Sequence, residues 1–80
     1  MTVSEAIAKR IDEYIFARGI TLYRLAKDAE VPVATLQNLY RGKCKSPSLA
    51  LVYKICNGLN VSIFEFLQSD LFSSSALELE

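Results

Sequence analysis

The chain has no histidine, only two cysteines, three glycines and two prolines, and each scarcity removes a class of function. Cys44 and Cys56 lie twelve residues apart rather than in a Cys-x-x-Cys pair, so there is no zinc-ligand pattern and no metal site is expected. The few glycines form no phosphate-cradling loop. The serines and cysteines lack an evident activating base, and no carboxylate pair is aimed into a cleft. An enzyme is therefore not expected, nor a cofactor or a small-molecule ligand. No apolar run approaches the about 18 residues of a membrane span, so no membrane partner is expected. Met1-Thr2-Val3-Ser4-Glu5 lacks the basic-then-apolar layout of a signal peptide, and a cytoplasmic location is the expectation.

What is present is apolar and helical. Eighty residues make one domain near the lower limit for folding without disulfides or metals, and 51% of them are hydrophobic. That is ample for a core and high for a fully solvated monomer, which points to a surface that meets something. Cys56 falls in an apolar helical stripe and reads as a small core residue, whereas Cys44 reads as a free thiol in a polar loop. The net charge of zero hides an uneven spread. Residues 1–17 sum to −1 and residues 55–80 to −4; between them Arg18, Arg24, Lys27, Arg41, Lys43, Lys45 and Lys54 stand against Asp28 and Glu30, giving +5. A basic centre between acidic ends suits a phosphate-binding face, although a merely solvated surface would look the same.

Apolar spacing is helical nearly throughout, with no internal repeat. Thr2-x-x-Glu5 is a capping box for helix 1, whose Ile7, Ile11 and Tyr14, with Ala8 and Ile15 beside them, face inward until Gly19 stops it. Thr21 caps helix 2, from Leu22 to about Ala29, with Leu25 and Ala26 inward. Val31-Pro32 breaks the helix, because the residue before proline is pushed out of helical geometry. Helix 3 then runs from Pro32 or Val33 to Tyr40 with Leu36 and Leu39 inward. Arg41 to Pro47 is a basic loop. Ser46 as cap and Pro47 in the first turn are expected to open helix 4, with Leu49, Val52, Ile55, Cys56 and Leu59 inward. Asn60 suits a left-handed cap. Ser62-x-x-Glu65 opens helix 5, with Ile63, Phe66 and Leu67 inward. Residues 1–69 form the expected domain. Residues 70–80, with the run Ser73-Ser74-Ser75, are an expected tail, partly disordered or in a dimer contact. Leu79-Glu80 carries no weight, since an appended remnant would look the same.

Read together, Gly19-Ile20-Thr21, Leu25-Ala26, Val31-Pro32-x-x-Thr35-Leu36, Arg41-Gly42-Lys43, Pro47-Ser48-Leu49 and Leu59-Asn60-Val61-Ser62 resemble a known pattern over residues 7–67. It is that of the Cro and lambda-repressor helix-turn-helix, also called the xenobiotic-response-element family. The resemblance implies an all-α, compact five-helix domain with the helix-turn-helix at helices 2 and 3. It also implies double-stranded DNA as partner, bound as a homodimer with helix 3 in the major groove. Matched position by position, Val33, Ala34, Gln37 and Asn38 would face bases. Asn38 suits adenine bidentately, Gln37 has the same chemistry, and Val33 and Ala34 offer apolar contact to thymine methyls. Thr21, Thr35, Arg41, Lys43 and Lys45 match phosphate contacts, though Thr21 also reads as a cap and Thr35 as bonding its own helix.

The sequence departs from that pattern in two ways. Leu22 replaces a glutamine that bonds DNA, Glu30 stands where glycine commonly turns the chain, and Pro32 replaces a serine or threonine cap. In addition, Ile15, Phe16, Leu22, Tyr23, Tyr40, Leu51, Tyr53 and Phe64 are apolar where related sequences are more often polar. They either enlarge the core or form a dimer contact, for which Tyr53, Phe64, Leu71 and Phe72 are the candidates. The expected function is a sequence-specific transcriptional regulator, a repressor of bacterial or phage type on a pseudo-palindromic operator. The alternative is a helix-turn-helix-fold protein-interaction module with weak or lost DNA binding.

Overall fold

A computed structural model describes residues 1–78. The expected all-α, five-helix architecture is the one observed: α1 Val3–Arg18, α2 Leu22–Ala29, α3 Val33–Tyr40, α4 Leu49–Leu59 and α5 Ile63–Leu67, followed by a 3₁₀ turn at Asp70–Phe72. Among the described residues no helix is long and apolar enough to cross a membrane. Leu79-Glu80 lies outside the described residues.

The helices end and begin by a device used three times. Gly19, Glu30 and Asn60 close α1, α2 and α4 in the left-handed conformation, with φ of 61°, 59° and 58°. The next residue then donates its N–H back along the helix: Ile20 to the Ile15 carbonyl (3.3 Å), Val31 to Ala26 (3.1 Å) and Val61 to Cys56 (3.0 Å). These bonds satisfy carbonyls that a helix end would leave without partners. The third residue of each junction, Thr21, Pro32 or Ser62, starts the following helix. Thr21 and Ser62 accept the N–H of Arg24 and Glu65, both at 3.0 Å. Pro32 makes no side-chain cap bond.

Ile7 and Ile11 of α1, Leu25 and Ala26 of α2, Leu36 and Leu39 of α3, four residues of α4 (Val52, Ile55, Cys56, Leu59) and Phe66 of α5 share one core. Phe66 is fully buried, stacked on Tyr14 at 6.0 Å and set against Phe72 at 6.2 Å. Burying such a ring stabilises the fold by about 1.5–3 kcal/mol. Two arginines of α1 close the opposite helix ends. Arg10 donates to the carbonyls of Phe66 (2.7 Å) and Glu65 (2.8 Å), and Arg18 to that of Leu59. Both guanidinium groups lie over the Tyr14 ring. Cations at helix C-termini also complement the helix dipole.

Three expectations are corrected. α4 opens on Ser48, whose hydroxyl accepts the Leu51 N–H at 3.0 Å, and not on Ser46 with Pro47 in the first turn. The loop ahead of it is committed to α1, where the buried Ser4 hydroxyl donates to the Cys44 carbonyl. Leu49, expected inward, is 68% exposed, because a first-turn side chain tilts toward the helix start and projects beyond the packed layer. Leu67 is exposed as well: α5 is one turn and a half, and Phe66 takes its inward direction.

Candidate nucleic-acid interface

α3 buries one face and offers the other. Leu36 and Leu39 are fully buried, while Ala34, Thr35, Gln37 and Asn38 are exposed. Ala34, Gln37, Asn38 and Arg41 stand at i, i+3, i+4 and i+7 and so share a side of the helix. Val33, the fourth candidate for a base contact, is half-buried and packs against the core.

Both ends of α3 are held. At its start, the Glu30-Val31 turn bonds back into α2 through Lys27 and Ala26. At its end, the Tyr40 hydroxyl donates to the Asp12 carboxylate of α1. That bond, then burial, then the charge of Asp12 raise the Tyr40 pKa above its ordinary 10.0. Past Tyr40 the chain wraps over the helix end, with Gly42 N–H on the Leu39 carbonyl (3.0 Å) and Lys43 N–H on that of Asn38 (2.9 Å). This fold-back, with φ of 72° at Gly42, starts the basic loop at the C-terminal end of α3, and the Ser4 bond to the Cys44 carbonyl ties it to α1.

The central cations divide by what they touch. Arg18 is held by α4, and Arg24 pairs with Asp28 at 3.0 Å along α2. Arg41, Lys43 and Lys45 are exposed and enter no salt bridge among the described residues. A cleft of about 480 Å³ lies between the loop and the first turn of α1, lined by Thr2, Ser4, Glu5, Arg41, Gly42 and Lys45. The Glu5 carboxylate accepts the Thr2 N–H at 2.9 Å, completing the expected capping box; this bond leads the interactions that lower its pKa. Thr21 is exposed, and its oxygen caps α2 while its O–H keeps a donor. Thr35 is exposed on the first turn of α3.

A family model described as a Cro/C1-type HTH DNA-binding domain matches residues 10–69. The chain belongs to the Cro/C1-type helix-turn-helix DNA-binding family. No curated protein and no solved structure gives a match. The matched span holds α2, α3, the basic loop, α4 and α5 of this Cro/C1-type domain, and leaves the first turns of α1, with Ser4, outside.

The eight unusual apolar residues split evenly. Ile15, Leu22, Tyr40 and Leu51 pack against the core, so they enlarge it. Phe16 (88% exposed), Phe64 (74%), Tyr23 and Tyr53 do not. Of the dimer candidates, Tyr53 and Phe64 are exposed, Leu71 is half-buried, and half-buried Phe72 packs on Phe66.

Sequence reasoning missed several residues that shape this surface. Ser4 sits three residues before Ile7 on the apolar stripe of α1, a position that signals a buried hydroxyl in need of a partner. Gly58, inside α4, signals close packing, since glycine weakens a helix interior. The carbonyls that Arg10 and Arg18 hold gave no local signal, because they lie on other helices.

Proposed function

We propose that this Cro/C1-type chain is a cytoplasmic, sequence-specific transcriptional regulator of the xenobiotic-response-element type, a repressor of bacterial or phage kind. A homodimer occupies a pseudo-palindromic operator, with the two α3 helices in successive major grooves about 34 Å apart. Asn38 and Gln37 read bases through their amides, with Ala34 and Val33 against thymine methyls. Arg41, Lys43 and Lys45, with the Thr21 and Thr35 hydroxyls, hold phosphates. Tyr53, Phe64, Leu71 and Phe72 make the dimer contact, and repression is steric.

The observation that carries this reading is an exposed amide-bearing face on α3 followed directly by a basic loop that is bonded to the α3 end and tethered to α1. Selection from a random duplex pool tests it, and an enriched palindrome is expected. Affinity should fall steeply with salt, since bound cations release condensed counterions. Changing Arg41, Lys43 and Lys45 together to alanine should weaken all duplexes and lower the salt slope by about one for each phosphate no longer neutralised. Absence of enrichment at low salt defeats the reading.

One observation favours a second reading. Exposed Phe16, Tyr23, Tyr53 and Phe64 suit a protein-interaction module with weak or lost DNA binding. Such a module would keep its partner in the triple-alanine variant.

A further inference from the structure

α2 meets α4 at a glycine. A Cβ built on Gly58 would lie 2.8 Å from the Ala29 Cβ, 2.8 Å from its N and 2.9 Å from its Cα. Side-chain carbons do not tolerate such separations, and two of the three atoms are main chain, which cannot rotate away. The backbone of Gly58 does not itself demand glycine, since the positive-φ glycines are Gly19 and Gly42. Space demands it.

Ala29 is the last residue of α2 and the root of the helix-turn-helix turn. The turn bonds rigidly to α2 through Glu30 N–H to Lys27 (3.2 Å) and Val31 N–H to Ala26 (3.1 Å), and α3 follows at once. A displacement at Ala29 therefore travels into α3. The basic loop, though bonded to the α3 end, has a second anchor on α1 through Ser4 and Cys44.

The geometry points to Gly58 as a positioning residue for DNA recognition: its missing side chain sets how deeply α2 seats on α4, and so where α3 presents Ala34, Gln37 and Asn38. The inference rests on the DNA-binding reading of that face. Base-edge hydrogen bonds need close, directed geometry, whereas long flexible cations on a loop with its own tether to α1 follow a phosphate. A side chain at position 58 thus weakens specific binding more than non-specific binding.

The test compares wild type, Gly58→Ala, Ala29→Gly and Ile11→Val, the last destabilising the core away from this contact. Each is measured for thermal stability, for affinity to the selected duplex and to a random duplex, and for amide chemical shifts. Gly58→Ala is expected to lose about tenfold in the ratio of specific to random affinity, the equivalent of one bidentate base contact. Ile11→Val, melting at a lowered temperature, should keep that ratio. Gly58→Ala should also shift amides across Val33–Tyr40, beyond the Ala29 atoms that its Cβ meets first. Should Gly58→Ala fail to fold, Ala29→Gly loosens the same seat and should lower the ratio by a smaller factor. An unchanged ratio in a folded Gly58→Ala, or in Ala29→Gly if that is the variant left, overturns the inference. If the wild type selects no duplex, the functional reading fails instead, and the α3 amide shifts alone decide the positioning role.

Discussion

The turn of the helix-turn-helix and the turn between α4 and α5 are built on one plan, with different materials. Each has a left-handed residue, then a β-branched residue whose N–H returns to the preceding helix, then a cap residue. At the second turn the three are Asn60, Val61 and Ser62: a side chain tolerant of positive φ, a residue packed on the core, and a hydroxyl that caps. At the first they are Glu30, Val31 and Pro32, and neither end of the device is well suited to its place. A left-handed residue other than glycine or asparagine costs about 1–2 kcal/mol. The turn that carries the candidate DNA-reading helix is thus the weaker one, held by its surroundings more than by its own residues. Leu36 and Leu39 in the core and the Tyr40–Asp12 bond supply what the turn lacks.

The sharpest contrast is expected at the caps. Ser62→Ala should destabilise the domain by about 1 kcal/mol, the usual loss for a helix cap. Pro32→Ala should change stability far less, since no side-chain cap bond is there to lose. Urea unfolding of both variants measures the difference, and equal losses would break the comparison. Next in size, Glu30→Gly should stabilise by roughly 0.5–1 kcal/mol: relief of the left-handed strain, less the added entropy of a glycine in the unfolded chain. Asn60→Gly should gain less, and a larger gain at Asn60 would reverse the ranking of the two turns.

The smallest effect concerns the far end of α3. The Tyr40 pKa is raised, chiefly by the bond to Asp12, so the neutral phenol is favoured in the folded state. Its contribution is fully present below the ordinary value of 10.0 and is lost as pH rises through the folded value. Wild type should therefore lose stability more steeply than Tyr40→Phe in alkaline melts. Parallel curves would show that this end of α3 does not depend on the phenol.

These contrasts follow what the sequence disclosed. Gly19, Asn60, Thr21 and the Thr2–Glu5 box were legible because caps are local chemistry, and Leu25, Leu36 and Ile55 because a periodic stripe marks a buried face. The strain at Glu30 was legible too, as a departure from a familiar pattern. The choice of Ser48 over Ser46 was not, since two equivalent hydroxyls compete and the tether from Ser4 to the loop decides. Nor was the division of eight apolar residues into four that pack and four that do not, which depends on where neighbouring helices lie. At the candidate site, exposure of Ala34, Gln37 and Asn38 followed from helical phase. The packing of Val33, the tethering of the loop and the withdrawal of Arg18 from the basic field depend on contacts between distant segments.

Arg10 and Arg18 bear on how the chain assembles. Arg18 finds its acceptor 41 residues further along and Arg10 one of its acceptors 56 residues further along, both beside the Tyr14 ring. Contacts of such separation close only after much of the chain is in place. During synthesis α1 emerges before α4 and α5, so its cationic side has no carbonyls to hold until they have followed. The two arginine contacts are thus among the last to close, because their acceptors lie beyond α2 and the candidate DNA-reading helix α3.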